Sequence, residues 1–108
     1  MTFYSWKIKF MKGGFVYIIA NKSNSVLYTG VTSDLISRII EHREKFYPTS
    51  FSAKYNCNKL VHFEIIDSIE SAIEREKYIK GKSRAYKLQL IQSDNPEFRD
   101  LWEDIKMW

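Results

Sequence analysis

The chain has 108 residues, of which 44% are hydrophobic and 16% aromatic. That length predicts one domain, and that composition predicts a folded chain with one small core. No apolar run reaches the ~18 residues of a membrane span, and the N-terminus lacks the apolar core of a secretory signal. The single cysteine, Cys57, excludes an internal disulfide and a multi-cysteine metal site. We therefore expect a soluble cytoplasmic domain with no membrane partner.

Charge is distributed unevenly along the chain. Residues 1–87 carry 15 of the 17 Lys and Arg residues but 8 of the 13 Asp and Glu residues, whereas residues 88–108 carry 2 basic and 5 acidic residues. A basic body followed by an acidic tail favours a polyanionic partner such as nucleic acid. Most basic surfaces are simply solvated, so charge alone does not decide the function.

Residues 1–12 form an N-terminal extension to a domain that we place at residues 13–108. Apolar residues alternate at positions 4, 6, 8 and 10, which predicts an extra edge strand. Alternatively, Met11, which precedes Lys12 and two glycines, marks the original start of the domain. The sequence leaves both interpretations open.

Two β-rich runs, residues 15–20 and 26–31, flank a turn-forming cluster and predict a β-hairpin. If residues 22–25 form a four-residue loop, Tyr17 pairs with Gly30 and Ile19 pairs with Tyr28. Tyr17 and Tyr28 then become diagonal neighbours on one face of the sheet. A change of one residue in loop length would separate them.

A helix follows, with Ser33 as the predicted N-cap, and a third strand is predicted at residues 60–66. Arg38 and His42 are four residues apart and border the apolar side of this helix, where they suit phosphate binding and proton transfer. A solvated helix flank is the plainer interpretation of this pair. The predicted buried side of the helix comprises Leu35, Ile36, Ile39, Ile40, Arg43 and Phe46.

A second helix, capped by Asp67 or Ser68, contains the most informative anomaly. Its apolar stripe consists of Ile69, Ala72, Ile73 and Ile79, and helical periodicity places Glu76 inside that stripe. A carboxylate there costs several kcal/mol unless it is paired, protonated or bound to a cation. Glu76 therefore lies at the core margin, pairs with a neighbouring lysine, or serves as a metal ligand or acid–base group.

The C-terminal part predicts two more helices and a basic run. A helical segment spans about residues 84–92, and a closing helix begins at Asn95 with Pro96 at its first position. A run of basic residues without an acid suits a phosphate clamp, although a solvated face is the plainer interpretation. The run comprises Lys77, Lys80, Lys82, Arg84 and Lys87.

The ordered combination of these segments resembles the GIY-YIG nuclease family across roughly residues 13–102. The matching segments are Phe15-Val16-Tyr17, Tyr28-Thr29-Gly30, Arg38 with His42, Ala72-Ile73-Glu74-Arg75-Glu76, and the ending Asn95-Pro96-Glu97-Phe98 typical of small stand-alone bacterial members. The resemblance implies an α/β (α+β) fold with a three-stranded antiparallel sheet flanked by helices. It also implies metal-dependent hydrolysis of phosphodiester bonds in DNA.

The resemblance assigns roles to individual residues. It implies that Glu76 binds one divalent cation, Mg²⁺ or Mn²⁺, because such ions take oxygen ligands and keep several waters. Arg38 would bind a phosphate oxygen, and His42 would take a proton or position the water. Tyr17 or Tyr28 would act as the general base. We favour Tyr17, with Tyr28 supporting it.

Three departures from the family pattern are visible. Phe15 and Val16 replace the glycine and isoleucine of the first half-motif, at positions that vary widely in the family. Val31 follows the second half-motif, where many family nucleases have a lysine, and no asparagine matching the family's pattern follows Glu76. We expect an endonuclease acting on double-stranded or branched DNA, structure-selective or weakly sequence-specific, with a partner protein contributing to substrate choice. A catalytically inactive nucleic-acid-binding module on the same fold is the alternative. A protein-interaction domain is a second rival, with either the aromatic N-terminal extension or the helix of Trp102 and Trp108 as its binding surface.

Overall fold

The computed structural model describes residues 13–108, so the strand or upstream start expected in residues 1–12 lies outside the described residues. The sheet is three-stranded and antiparallel, in the order β2-β1-β3, which confirms the predicted fold class. No helix in the described range is long and apolar enough to cross a membrane. The elements are β1 (Gly14–Ala20), β2 (Leu27–Thr32), α1 (Leu35–Arg43), α2 (Phe51–Lys54), β3 (Lys59–Ile66), α3 (Ile69–Lys80), α4 (Arg84–Asp94) and α5 (Trp102–Ile105).

The hairpin of β1 and β2 has the predicted register. Tyr17 lies opposite Gly30, and Ile19 lies opposite Tyr28. The amide of Asn21 donates to the carbonyl of Val26 at 3.2 Å, which closes the four-residue loop. Because side chains two apart share a face of a sheet, Tyr17 and Tyr28 lie diagonally on one face, as predicted.

The central strand β1 separates two apolar cores and is buried along its whole length. Its odd-numbered residues face α1 and α5, and its even-numbered residues face α3 and α4. Period-two alternation explains this division, since a strand covered on both faces is apolar throughout. The first core includes Phe15, Tyr17, Ile19, Leu35, Ile39 and Leu60, and the second includes Val16, Ile18, Val61, Ala72, Ile79 and Ile91.

The predicted start and buried side of α1 need correction. Asp34, not Ser33, is the N-cap, because its carboxylate accepts from the amide of Ser37 at 3.2 Å. The predicted apolar face is buried at Leu35 and Ile39, but Ile40 is 38% exposed and Phe46 is 63% exposed. Phe46 lies beyond the end of the helix and follows Lys45, whose positive φ redirects the chain. The corrected buried face is therefore shorter than the predicted one.

The start of α3 resolves the predicted alternative in favour of Ser68, whose side chain accepts from the amide of Ser71 at 3.1 Å. The predicted helix from Asn95 is wrong. Asn95 is buried at the end of α4, and its side-chain amide donates to the carbonyls of Val61 and Arg99 at 3.1 and 2.9 Å. Those hydrogen bonds hold an irregular turn, so only α5 of the closing segment is helical.

The C-terminal tryptophans pack against the first core. The Trp108 ring lies 6.5 Å from the Phe15 ring and 5.5 Å from the Phe63 ring, measured between centroids. The guanidinium of Arg43 lies 5.6 Å from the centroid of the Trp102 ring. Both tryptophans are half-buried. Their packing favours a structural role over an interaction surface at these two tryptophans, and the other surface considered, in residues 1–12, lies outside the described residues.

Candidate active site

Tyr17 lies at the centre of a polar cluster between β1 and α1. Its side chain is fully buried, and its hydroxyl oxygen lies 2.8 Å from Nε2 of His42 and 3.4 Å from Nε of Arg38. Arg38 and His42 stand one turn apart on α1, so their side chains reach the same hydroxyl. The structure therefore joins three of the residues that the sequence predicted for catalysis.

Burial sets the protonation of this cluster. Burial raises the pKa of Tyr17 to about 12, against the opposing effect of its hydrogen bond from Arg38. Burial, together with the charge of Arg38, lowers the pKa of His42 to about 4, while Glu41 acts weakly in the other direction. At neutral pH the phenol keeps its proton and the imidazole is uncharged. Arg38 can only donate to the Tyr17 oxygen, whereas the direction of the hydrogen bond between the Tyr17 hydroxyl and His42 Nε2 depends on the tautomer of His42.

Ser52 holds the other side of the His42 ring. Its Oγ lies 2.9 Å from Nδ1 of His42, and the residue is buried at 4% exposure. Ser50 is the N-cap of α2, and its Oγ atom lies 3.3 Å from the Oγ atom of Ser52. Sequence reasoning missed Ser52, because residues 49–52 read as a loop that ends a helix. Ser50 and Ser52, two closely spaced serines typical of a helix start, were the sequence signal for this short helix.

Tyr28 lies beside this cluster on the edge strand β2. Its ring centroid is 6.5 Å from that of Tyr17 and 5.7 Å from that of His42. It also stacks on Phe51 at 6.2 Å. Tyr28 thus contributes a ring to the site, whereas Tyr17 contributes a hydrogen-bonded hydroxyl.

Glu76 lies in the apolar stripe of α3, as helical periodicity predicted. The residue is 9% exposed, and its neighbours Ala72 and Ile79 are fully buried. Its Oε2 lies 2.9 Å from Nζ of Lys80, so the lysine pairing that we considered is present. The negative charge of Glu76 also raises the pKa of Tyr17, although burial and the effect of Tyr28 raise it more.

Lys80 links the two faces of the sheet. Its ammonium lies 5.8 Å from the centroid of the Tyr28 ring while pairing with Glu76 on α3. Tyr28 packs with the α1 core, whereas α3 packs on the opposite face of the sheet. Because β2 is an edge strand, the two groups meet around its open edge. Glu76 therefore belongs to the same region as the two tyrosines.

The donor set around Glu76 fits one kind of metal ion. Within residues 13–108, no group of three or more His, Cys, Asp or Glu side chains is arranged to hold a metal. A single nearly buried carboxylate suits a hard cation that keeps its waters and binds substrate oxygens, and not a cation that needs a complete protein cage. Such an ion would compete with Lys80 for the Glu76 carboxylate.

The predicted basic run extends from the second half of α3 into the start of α4, and its members have different contacts. Lys82 lies over the Tyr78 ring, 4.5 Å from its centroid, and Lys77 is exposed. Arg84 donates to the carbonyl of Asn24 at 2.7 Å, and Lys87 donates to the carbonyl of Lys80 at 3.5 Å. Lys80, another member of the run, contacts the Tyr28 ring and pairs with Glu76.

A pocket of about 430 Å³ opens beside the cluster. Arg38 and His42 contribute to its wall, so the hydrogen-bonded cluster borders open space. Arg38 also pairs with Glu41, with Nη1 3.2 Å from Oε1. The other lining residues include Tyr28, Tyr47, Phe51 and Ser52.

Comparison with known proteins places this site in a family. The model of the GIY-YIG catalytic domain matches residues 13–89, which include both tyrosines, Arg38, His42 and Glu76. The chain belongs to the GIY-YIG family. GIY-YIG domains are the catalytic domains of nucleases, and the sequence resemblance is thereby confirmed.

Several relatives of similar size share most of this GIY-YIG chain. A UPF0213 protein of Syntrophus aciditrophicus is 41% identical over 87 residues, which cover 81% of this chain and 98% of the relative. A UPF0213 protein of Clostridium perfringens is 37% identical over 97 residues, covering 86% and 98%. One of Haloquadratum walsbyi is 38% identical over 82 residues, covering 72% and 85%. No solved structure gave a significant match.

Proposed function

We propose that this GIY-YIG protein is a metal-dependent endonuclease that hydrolyses phosphodiester bonds in DNA. The observation that carries the proposal is the Tyr17 hydroxyl held between His42 Nε2 at 2.8 Å and Arg38 Nε at 3.4 Å. A phenol between a proton acceptor and a fixed positive charge is suited to lose its proton when a further cation approaches. Family membership gives this geometry its chemical context.

The reaction needs an activated water, a stabilised phosphorane and a leaving alkoxide. In the proposed scheme, water gives a proton to the Tyr17 oxygen as the tyrosine hydroxyl gives its own proton to His42 Nε2. The water oxygen then bonds to phosphorus, and the opposite phosphorus–oxygen bond breaks, releasing an alkoxide that takes a proton from solvent. Arg38 offsets the charge that develops on the phosphate oxygens. Tyr28 supports the base through ring packing.

Glu76 is the proposed ligand of one divalent cation, Mg²⁺ or Mn²⁺. The ion, when bound, would supply positive charge for the water and for the phosphate oxygens. Burial of Glu76 inside an apolar stripe supports this role, since such a carboxylate requires a positive partner. The ammonium of Lys80, 2.9 Å from Glu76 Oε2, provides that partner in the structure.

DNA contact is proposed for the basic residues of α3 and the start of α4. The exposed lysines Lys77, Lys80 and Lys82 are suited to phosphates, which carry no sequence information. Arg84 and Lys87 would contribute less, because each is engaged with a carbonyl. We therefore propose structure-selective or weakly specific cleavage of double-stranded or branched DNA, with a partner protein contributing to substrate choice.

The test compares variants on defined DNA. Purified protein is incubated with branched, nicked and plain duplex DNA plus Mg²⁺ or Mn²⁺. We expect Glu76→Ala and Tyr17→Phe to lower the cleavage rate by at least about a hundredfold. Glu74→Ala removes an exposed carboxylate of the same helix and should leave the rate within about twofold.

Two results would overturn the assignment. Cleavage that persists unchanged in Glu76→Ala and Tyr17→Phe would identify a contaminant and reject the proposed site. Salt-sensitive DNA binding without cleavage on any substrate would favour the inactive binding module.

A further inference from the structure

His42 is held at both nitrogens of its ring. Nε2 lies 2.8 Å from the Tyr17 hydroxyl, and Nδ1 lies 2.9 Å from Oγ of Ser52. A neutral imidazole carries one N–H, so one nitrogen donates and the other accepts. The partner at each nitrogen decides which tautomer is present.

The direction of the hydrogen bonds follows from their donors. Arg38 donates to the Tyr17 oxygen, and Tyr17 is fully buried, so its hydroxyl proton is satisfied when it points to Nε2 of His42, 2.8 Å away. Nδ1 then carries the imidazole proton and donates it to Ser52. The Ser52 hydroxyl can in turn donate to Ser50 Oγ at 3.3 Å. One directed chain therefore runs from Arg38 to the cap of α2.

We propose that Ser52 is a positioning residue that fixes His42 in its Nδ1–H tautomer, so that the lone pair of Nε2 faces the Tyr17 hydroxyl. The tautomer of His42 is a property of the folded protein and does not depend on nuclease activity. Its consequence for cleavage rests on the proposed nuclease function. Nothing in the resemblance to GIY-YIG nucleases assigned this serine.

Burial makes the contact between Ser52 and His42 effective. Ser52 is 4% exposed, and its neighbour Ala53 is 7% exposed, so water competes weakly for the serine hydroxyl. A buried hydroxyl or imidazole N–H without a partner is costly, which disfavours the opposite tautomer. The short helix α2, started by the Ser50 cap, holds the serine at this distance.

The decisive measurement is the tautomer of His42, read from the ¹⁵N chemical shifts of its imidazole near neutral pH. The chain has two histidines, so His62→Asn assigns the signals. We expect the Nδ1–H form to predominate in the wild type and in Ser52→Thr, which keeps the hydroxyl. Ser52→Ala should shift the population toward Nε2–H. Ser37→Ala, which removes an exposed serine hydroxyl of α1, should leave the tautomer unchanged.

Two tautomer results would overturn the proposal. One is a wild type that carries Nε2–H, and the other is an unchanged tautomer in Ser52→Ala. The wild-type measurement and Ser52→Thr keep the proposal testable even if Ser52→Ala fails to fold.

Kinetics give an independent measurement. On DNA that the wild type cleaves, Ser52→Ala should lower kcat by about tenfold with KM within about twofold, and Ser52→Thr should restore most of the rate. An equal loss in both serine variants would indicate a merely structural role and contradict the proposal. If the wild type cleaves no DNA, the proposed function fails while the tautomer measurement still decides the role of Ser52.

Discussion

Gly30 lies opposite Tyr17 across β1 and β2, so close that a methyl group on Gly30 would overlap the Tyr17 phenol and its hydroxyl oxygen. The φ angle of Gly30 is not positive, so the glycine is required for space and not for backbone freedom. The missing side chain leaves room for the ring whose hydroxyl reaches His42 and Arg38.

Substitution of Gly30 should therefore disturb both packing and the site. We expect Gly30→Ala to lower the free energy of unfolding by about 1–3 kcal/mol, as overpacked cores do, and to reduce cleavage. Urea unfolding measures the first effect. Gly81→Ala is the control, because its added methyl group would lie 3.5 Å from the nearest carbonyl oxygen, an ordinary contact. Equal stability of the two variants would contradict the close packing of Tyr17 on Gly30.

The two tyrosines should differ in their importance for cleavage. The Tyr17 hydroxyl accepts from Arg38 and shares a hydrogen bond with Nε2 of His42, whereas Tyr28 contacts His42 and Lys80 through its ring. We expect Tyr17→Phe to lower kcat by at least about a hundredfold and Tyr28→Phe by less than about tenfold. Single-turnover cleavage rates decide between them, with circular dichroism as a check on folding. The reverse order would make Tyr28 the general base.

The relation of the two tyrosines was predictable because it depends on local chemistry. Loop length sets the register of a hairpin, and register sets which side chains share a face. The position of Glu76 was equally predictable, since this carboxylate interrupts the helical periodicity of apolar residues in α3. The contacts of these residues confirm both expectations about placement.

Other features depended on tertiary structure that no local pattern reports. Phe46 fits the period of α1 but lies beyond the end of the helix, where Lys45 turns the chain. Asn95 before a proline is typical of an N-cap, yet its side chain binds the carbonyl of Val61 on β3. Ser52 became visible as a partner of His42 only when α2 packed against α1. The roles of Asn95 and Ser52 therefore depend on contacts between separate elements, whereas the error at Phe46 arose from a turn that ends the helix early.

Folding stability should depend on the protonation of His42. Burial and the charge of Arg38 lower the pKa of His42 from 6.5 to about 4, with Glu41 opposing and the neutral Tyr17 hydroxyl facing the ring. As the pH falls, His42 therefore binds a proton in the unfolded chain before it does so in the folded protein. The contribution to stability is complete above pH 6.5 and is lost as the pH falls toward 4. Urea unfolding across this range should show a shallower pH slope for His42→Gln than for the wild type. Equal slopes would contradict a buried neutral imidazole.

A second pH-dependent group lies between β3 and α3. Glu64 Oε2 lies 2.9 Å from Nε2 of buried His62, and Arg75 Nε lies 2.8 Å from Glu64 Oε1. Burial acts to raise the pKa of Glu64, but these hydrogen bonds and the charge of Arg75 outweigh it and lower the pKa to about 2.

The stability that Glu64 contributes should be lost at lower pH than that of His42. It is complete above pH 4.5, the ordinary pKa of Glu64, and is lost as the pH falls toward 2. Glu64→Gln should remove this dependence, whereas Glu103→Gln, in an exposed pair with Lys106, should not. Acid unfolding monitored by tryptophan fluorescence compares them. A wild-type acid transition that Glu64→Gln leaves unchanged would argue against this pair.

Lys80 and a divalent cation should compete for the carboxylate of Glu76. The ammonium lies 2.9 Å from Glu76 Oε2, and because the lysine is half exposed to solvent, this ion pair is worth about 1 kcal/mol. Lys80→Met should therefore bind Mn²⁺ about two- to fivefold more tightly than the wild type, as measured by calorimetry without DNA. Lys77→Met removes the same charge from an exposed position of α3 and should change the affinity less, because salt screens distant charges. Equal gains in both variants would show that net charge, and not release of Glu76, controls cation binding.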